Sequence, residues 1–361
     1  MYQNELKALK KQNRFRERIV YDNNLIDLAS NDYLGLAHNK EQFQKAIELI
    51  LEYDCFAPKS SMLVGGYHPI HQQFEKEISK LNGFEDAIVV GSGFLANFAL
   101  IESLVRKGDT LFIDEDYHAS GMAALANIND RFIKFKHNSP QDLRQMILQT
   151  KTKRAIIAIE GVYSMGGDIC KKEFFDIADE FNTILIVDEA HSSGVLGSKL
   201  LGIFDYYDIQ VKPNYIKMGT LGKAYGSYGA YILATREIIS FLENRAKPII
   251  YSTAPSIFDI ALALVNIRYI QENINFFLDE IRRRKEIVEE FGYDICSLII
   301  QVPQKSNLEA IKNRDLLQEE GFLVGAIRQP TVQEPILRII PRLGVSEKDL
   351  KLLFAKLPKL I

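Results

Sequence analysis

The sequence contains only three cysteines among its 361 residues. Cys55, Cys170 and Cys296 are scattered without Cys-x-x-Cys spacing, so we expect neither a disulfide framework nor a cysteine zinc site. Long apolar runs are also missing, because none approaches the roughly 20 residues needed to cross a membrane. The first residues, MYQNELKALKKQNRFRER, are too charged for a signal peptide. These absences predict a cytoplasmic protein with reduced thiols and no membrane partner.

A strong charge of either sign is missing as well. The formal net charge is −3, and no basic run alternates with aromatic residues, which argues against nucleic acid as a partner. With 47% hydrophobic and 25% charged residues, the composition is that of an ordinary globular protein. The length allows one large domain and a smaller one.

The middle of the chain contains a regular alternation of short apolar runs and amphipathic stretches. The runs include DAIVVG (86–91), TLFIDED (110–116), AIIAIEG (155–161) and TILIVDEA (183–190). Near-continuous apolar strands that alternate with helices are typical of a mostly parallel sheet covered on both faces. The pattern therefore predicts an α/β fold.

The alternation ends near residue 256, which indicates a division into domains. We predict a large domain over residues 46–255, followed by a linking helix and a small α+β domain over residues 256–361. Residues 1–45 are expected to contribute to the small domain.

The stretch AIVVGSGFLAN (87–97) joins a predicted strand to a predicted helix. Its Gly91-x-Gly93-x-x-Ala96 pattern is close to the dinucleotide-binding fingerprint, and Asp114 lies where an acidic ribose partner is expected. The stretch alone does not distinguish a dinucleotide from another phosphate. It predicts an anion site at the start of a helix.

Polar residues follow several predicted strands, at the edge where ligands of such sheets bind. Asp188 ends the apolar run ILIVD, and Lys223 lies in the glycine-rich KMGTLGKAYGSYG. A strand-end aspartate can simply cap a loop, and most lysines are solvated. Together, however, a carboxylate that keeps a ring nitrogen protonated and a lysine that forms an imine are what pyridoxal phosphate (PLP) chemistry requires.

Three further residues fit the same cofactor. His118 and His191 also follow strands, so one ring can stack on the pyridine and the other can reach its phenolic oxygen, while the Thr220 hydroxyl can bind phosphate. A dehydrogenase would leave Asp188 and Lys223 without a role. The residues around Gly93 are therefore interpreted as a phosphate cup for PLP.

Two other site types are disfavoured by residue identity. The segment around Gly222-Lys223 is too short for a nucleotide-binding P-loop, and Ala224 replaces the magnesium-binding hydroxyl. The pair His68 and His71 has no accompanying carboxylate or cysteine ligand set, so no metal site is predicted.

Taken together, the motifs resemble those of the α-oxoamine synthases, PLP enzymes of fold type I. They span most of the chain and comprise ASNDYLGL (29–36), GYHPIHQQFE (66–75), SGFLAN (92–97), DEDYHAS (114–120), EGVYSMGGD (160–168), VDEAHSSGVLG (187–197), TLGKAYG (220–226) and YSTAP (251–255). The resemblance implies a large domain with a mostly parallel seven-stranded sheet. It also implies a homodimer to whose contacts residues 1–45 contribute.

The resemblance assigns roles to individual residues. The catalytic set would be Lys223 as the imine lysine, Asp188 at the pyridine nitrogen, His118 stacked on the ring and His191 at the phenolic oxygen. The remaining cofactor contacts would come from Ser92, Gly93, Phe94, Ser164 and Thr220, with Ser252 and Thr253 supplied by the other subunit.

Within the family, AIRQPTV (326–332) and LRII (337–340) favour members that join L-alanine to a pimeloyl thioester in biotin biosynthesis. The carrier would be coenzyme A or acyl carrier protein. Substrate contacts would come from Arg16, Asn31, His118, Arg328, Thr331 and Arg338, with Arg338 and Asn31 on the alanine carboxylate. Three alternatives remain: a synthase that uses glycine and a short acyl-coenzyme A, a non-catalytic scaffold subunit, and a nicotinamide-binding protein. The loop FAPKSSMLVGGYH (56–68) departs from the glycine- and serine-rich loop usual in the family.

Overall fold

The computed structural model describes residues 1–357, which form two compact units. The larger unit contains Leu34–Ser164 and Asp168–Leu278, and the smaller contains Met1–Tyr33, Met165–Gly167 and the described chain from Asp279 onward. The division falls after residues 33 and 278, whereas the sequence suggested 45 and 255. The helix Ile257–Glu272 packs on the helices Lys40–Leu51 and Pro69–Asn82, and so it belongs to the larger unit.

The strands are short and follow the apolar runs of the sequence. In chain order they are β1 (Ile26–Asp27), β2 (Asp86–Val90), β3 (Asp109–Asp114), β4 (Phe132–Phe135), β5 (Arg154–Glu160), β6 (Ile184–Asp188), β7 (Tyr215–Thr220), β8 (Ala230–Ala234), β9 (Ile300–Pro303), β10 (Phe322–Leu323), β11 (Gly325–Ile327) and β12 (Ile336–Ile339).

Helices occur in both units and alternate with the strands in the larger one. They are α1 (Gln3–Lys11), α2 (Lys40–Leu51), α3 (Pro69–Asn82), α4 (Gly93–Leu104), α5 (Ala119–Ala124), α6 (Pro140–Gln149), α7 (Glu173–Glu180), α8 (Ile203–Tyr206), α9 (Arg236–Arg245), α10 (Lys247–Ile250), α11 (Ile257–Glu272), α12 (Ile274–Glu290), α13 (Asn307–Glu319) and α14 (Glu347–Lys356). Throughout residues 1–357, no helix is both long and apolar enough to span a membrane.

The larger unit is built on a seven-stranded sheet in the order β2-β8-β7-β6-β5-β3-β4. β8 runs antiparallel to both of its neighbours, and the other pairs are parallel. The central strands β5 and β6 are buried on both faces, which explains their lack of polar alternation. The predicted α/β fold with a mostly parallel seven-stranded sheet is confirmed.

The smaller unit has two small sheets. β11, β12 and β9 form an antiparallel sheet in that order, and β1 pairs in parallel with β10. Its core includes the fully buried side chains of Leu28, Val288, Leu337 and Phe354. The N-terminal segment thus contributes a strand and a core side chain to this unit.

Candidate active site

The first part of the site is the junction between β2 and α4. Ser92 caps the helix, because its side-chain oxygen accepts a hydrogen bond from the backbone N–H of Leu95 at 3.3 Å. The helix begins at Gly93, where an added Cβ atom would lie 3.7 Å from the Cβ atom of Thr220. The first amides of an α-helix, here those of Gly93 and Phe94, have no partner inside the helix and bind anions well. The structure therefore brings the predicted phosphate cup and Thr220 together.

Lys223 lies in the turn that joins the antiparallel strands β7 and β8. Backbone hydrogen bonds from Leu221 to Gly229 and from Ser227 to Leu221, both 2.9 Å long, close this turn. The partly buried Lys223 side chain places Nζ 2.7 Å from Nε2 of His191, so the amine and the imidazole are in hydrogen-bonding contact. Two residues predicted from separate motifs thus meet at the same edge of the sheet.

Asp188 is the last residue of β6 and is 3% exposed. Its Oδ2 accepts a hydrogen bond from the Asn97 side-chain amide at 2.7 Å, and its Oδ1 accepts one from the backbone N–H of Ala190 at 2.9 Å. Both of these donors are neutral, and a buried carboxylate is costly unless a cation offsets it. The position is therefore suited to a bound cationic group such as a protonated ring nitrogen.

Asn97 links Asp188 to His118. Its Nδ2 also donates to the hydroxyl of Ser120 at 2.9 Å, and its Oδ1 accepts from the hydroxyl of Tyr117 at 2.7 Å. The Ser120 hydroxyl in turn lies 2.7 Å from Nδ1 of His118. Asn97 was not predicted from the sequence. The one feature that could have indicated its role is a polar residue among apolar ones, one turn after the start of α4.

The protonation of His118 follows from its surroundings. Burial lowers the pKa of His118 below its usual value, and the nearby Lys223 acts in the same direction against the opposing effect of Asp188. A neutral imidazole can stack on a flat aromatic ring without bringing a second cation into the site.

Ser164 and Glu160 occupy the end of β5. Glu160 is paired in register with Asp188, and its Oε2 accepts the backbone N–H of Ser164 at 3.1 Å. Burial, followed by the effect of Asp188, raises the pKa of the Glu160 carboxyl well above its usual value. Glu160 is a second buried polar residue that the sequence analysis did not single out.

A charged histidine joins Asp114, the last residue of β3, to Asp168. His137 places Nδ1 3.1 Å from Asp114 and Nε2 3.2 Å from Asp168. Although burial opposes the charged form, these two carboxylates raise the pKa of His137 to about 10. Asp114, the candidate ribose partner of the dinucleotide pattern, also accepts a hydrogen bond from the hydroxyl of Tyr163 at 2.6 Å. Its role in the structure is to hold neighbouring segments together.

The predicted substrate residues other than His118 lie in the smaller unit. Arg338, on β12, donates from Nη1 to Oδ1 of Asn31 at 3.0 Å. Arg16 donates from Nη2 to the hydroxyl of Thr331 at 3.2 Å, and Arg328 donates to a backbone carbonyl of the N-terminal segment at 2.8 Å. Arg338 with Asn31, and Arg16 with Thr331, are therefore in direct contact.

Ser252 and Thr253 lie just after α10, beside the atypical loop of residues 56–68. The backbone N–H of Ala254 donates to the carbonyl of Ser60 at 3.0 Å, and so the two segments are joined. Their assignment to the site of a second subunit stays a prediction.

His68 and His71 form the cap of α3. Nδ1 of His71 accepts from the backbone N–H of His68 at 3.1 Å, and Nε2 of His71 contacts the carbonyl of Pro255 at 2.9 Å. Burial lowers the pKa of His71 to about 4, so its ring is neutral. Over the part of the chain that the structure describes, no group of three or more histidine, cysteine or acidic side chains is placed to hold a metal ion.

With this geometry established, the chain can be compared with known proteins. The model of the family "Aminotransferase class I and II" matches residues 23–357. The chain belongs to this family.

Two relatives extend over nearly the whole chain. It is 43% identical over 354 residues to the 8-amino-7-oxononanoate synthase of Helicobacter pylori strain J99, covering 97% of this chain and 95% of that protein. It is 35% identical over 370 residues to a putative 8-amino-7-oxononanoate synthase of Aquifex aeolicus, covering 99% and 97% respectively. The resemblance predicted from the motifs is confirmed at the level of the family.

Solved structures agree on the fold. A crystal structure of the 8-amino-7-oxononanoate synthase of Francisella tularensis superposes with a TM-score of 0.77 at 27% identity, covering 94% of this chain and 99% of that one. A structure of SPT with its PLP internal aldimine superposes with a TM-score of 0.84 at 23% identity, covering 93% of this chain and 87% of that one. The fold-type I assignment is therefore confirmed.

Proposed function

We propose that this chain is a PLP-dependent acyltransferase that condenses L-alanine with a pimeloyl thioester. The products are 8-amino-7-oxononanoate, carbon dioxide and the free thiol, in a step of biotin biosynthesis. The similarity to relatives named 8-amino-7-oxononanoate synthase supports this reaction. The observation that carries the proposal is that Lys223 and His191 are in contact at the sheet edge where Asp188 is buried.

The residues present fit PLP by the chemistry of their donors. The amides at the start of α4 and the Thr220 hydroxyl suit a phosphate group, and the Asp188 carboxylate suits a protonated pyridine nitrogen. His191 and Ser164 would contact the phenolic oxygen, and His118 would lie against the ring. When bound, this cofactor withdraws electrons from the amino acid and makes its Cα proton acidic.

The protein itself supplies proton transfer and orientation. The Lys223 amine removes the Cα proton of alanine and later returns a proton to the product, with His191 in contact with its Nζ atom. Asp188 keeps a proton on the pyridine nitrogen through its negative charge. A pre-oriented amine avoids the entropic cost of an encounter with an external base.

The substrate contacts are proposed for the smaller unit. The planar guanidinium of Arg338, held by Asn31, is suited to bidentate pairing with the alanine carboxylate. Arg16, Arg328 and Thr331 would border the acyl substrate. Burial and then the positive charge of Arg16 lower the pKa of Arg328. An acyl group with a negatively charged end would offset the repulsion between these two arginines.

The reaction is proposed to take place in a cytoplasmic homodimer. Phe94, at the phosphate cup, and Tyr251, beside Ser252, are both exposed in the single chain. Exposed aromatic residues close to functional residues are typical of interaction surfaces. This exposure supports delivery of Ser252 and Thr253 to the site of a second subunit, while the carrier remains either coenzyme A or acyl carrier protein.

The test is an assay of carbon dioxide release by the purified protein with PLP. We expect L-alanine with a pimeloyl thioester to be turned over much faster than glycine with acetyl-coenzyme A. Lys223→Ala should abolish turnover, and borohydride should trap PLP on Lys223 in the unmodified chain, whereas the exposed Lys107→Ala should behave as the unmodified protein. Faster turnover of glycine with acetyl-coenzyme A would replace the proposed substrates by those of a glycine C-acetyltransferase. A PLP adduct trapped on another lysine would show that Lys223 is not the lysine that forms the imine.

A further inference from the structure

Glu160 is a buried acid for which the proposed chemistry has so far no role. It is 1% exposed, and its Oε2 accepts the backbone N–H of Ser164 at 3.1 Å. The other oxygen, Oε1, is buried and has no hydrogen-bond partner among residues 1–357. A buried ionised oxygen without a donor is much more costly than the corresponding oxygen of a neutral acid. The geometry therefore favours a proton on Oε1.

The neighbour of Glu160 in the sheet leads to the same conclusion. Glu160 and Asp188 end the adjacent parallel strands β5 and β6 and are paired in register, so their side chains lie on the same side of the sheet. Two buried carboxyl groups this close do not both ionise. Asp188 has the Asn97 amide and the Ala190 N–H as donors, whereas Oε1 of Glu160 has none in the described chain. The proton therefore belongs on Glu160.

We propose that Glu160 is a positioning residue of the cofactor site that acts as a neutral acid. Its unprotonated oxygen holds the turn that carries Ser164, and its proton leaves Asp188 as the single anion beside the cofactor nitrogen. This inference rests on the proposed function, because it concerns how Asp188 is kept ready for PLP.

The groups around Glu160 are consistent with this role. The titratable side chains that interact with it are Asp188 on β6, Lys223 in the turn after β7, Tyr117 after β3 and Tyr163 after β5. The effects of Lys223 and of the backbone amides of Ser164 and His118 oppose protonation, but burial and Asp188 outweigh them. The direction of the pKa shift thus agrees with the hydrogen-bonding geometry.

Infrared spectroscopy of the PLP-free protein tests the proton directly. Near pH 7, the difference spectrum between the unmodified protein and Glu160→Gln should show the loss of one carboxylic acid C=O band. The matched control, Glu173→Gln at an exposed site, should show the loss of a carboxylate band instead. Loss of a carboxylate band in Glu160→Gln would overturn the proposal.

PLP affinity tests the positioning role. Glutamine is the neutral isostere of a protonated glutamate, so Glu160→Gln should bind PLP within about threefold of the unmodified protein, whereas Glu160→Ala should bind at least about tenfold more weakly. If glutamine is as damaging as alanine, the charge rather than the proton matters and the proposal is wrong. If Glu160→Ala does not fold, the glutamine variant and the infrared bands still decide the question. Failure of the proposed function would look different. Other substrates would then be turned over, or the unmodified protein would bind no PLP, while the infrared result would stand in either case.

Discussion

Replacement of His137 by glutamine should weaken the folded protein in a pH-dependent way. His137 is protonated between Asp114 and Asp168, whose carboxylates overcome the effect of burial and raise its pKa from 6.5 to about 10. A shift of this size corresponds to about 5 kcal/mol of preference for the charged form. Because roughly a third of the side chain is exposed, solvent screening reduces the expected stabilisation to about 2 kcal/mol.

The sign of the pH dependence follows from the direction of the shift. The folded state binds the proton more tightly than the unfolded chain, so the stabilisation is complete below about pH 6.5 and is lost as the pH rises towards 10. Glutamine cannot carry the charge at any pH. The difference in unfolding free energy between the two proteins should therefore be greatest near pH 6 and shrink steadily in alkaline buffer.

Urea denaturation at a fixed PLP concentration measures this difference. The midpoints of the unmodified protein and of His137→Gln would be compared at intervals between pH 6 and 9.5, with the exposed His38→Gln as the matched control. The control should show no comparable pH-dependent difference. A His137→Gln difference that stays constant over this range would refute an ionic role for His137, and an increase with pH would reverse the assigned shift.

Three further predictions concern the site itself. Asp188→Asn should retain PLP but slow carbon dioxide release about a hundredfold or more, and near-normal turnover would contradict its electrostatic role. Gly194 has φ 82°, and a Cβ atom added there would lie 2.3 Å from the Cβ atom of Ala224. Gly292 has a similar φ of 80°, but an added Cβ atom would meet no other atom of the described chain within 4 Å. Gly194→Ala should therefore lower the urea midpoint more than Gly292→Ala does. Equal losses in the two variants would show that the backbone alone matters. Arg338→Ala should raise the KM for alanine about tenfold or more while changing the KM for the thioester little, and the reverse pattern would assign Arg338 to the acyl substrate.

The part of the site that lies at strand ends could be predicted from the sequence. Asp188 and Lys223 adjoin apolar runs, and parallel strands bring their carboxyl ends to one edge of the sheet, so proximity follows from strand order. The contact between Lys223 and His191 agrees with this reasoning. The dinucleotide alternative could not be removed by local sequence, because a glycine-rich turn before a helix suits any phosphate.

Asn97 and Glu160 could not be predicted because their roles depend on packing. Asn97 lies within the apolar helix α4, and only the packing of that helix against the sheet places its amide on Asp188. Glu160 ends a strand, where a charged residue ordinarily reaches solvent, and its burial depends on neighbouring strands. The boundaries of the smaller unit could not be predicted from a local sequence pattern either, because β1 has only two residues and is too short to show one.

The pairing of β1 with β10 has a consequence for folding during synthesis. Ile26–Asp27 pairs with Phe322–Leu323, so the first strand of the smaller unit must wait for about 300 further residues, or roughly 15–60 s of translation at about 5–20 residues per second. During that interval Leu28, which is fully buried in the finished unit, has no native core to enter. The nascent chain can build its central sheet in the meantime, whereas the segment around β1 stays exposed to chaperones and proteases until β10 has been synthesised.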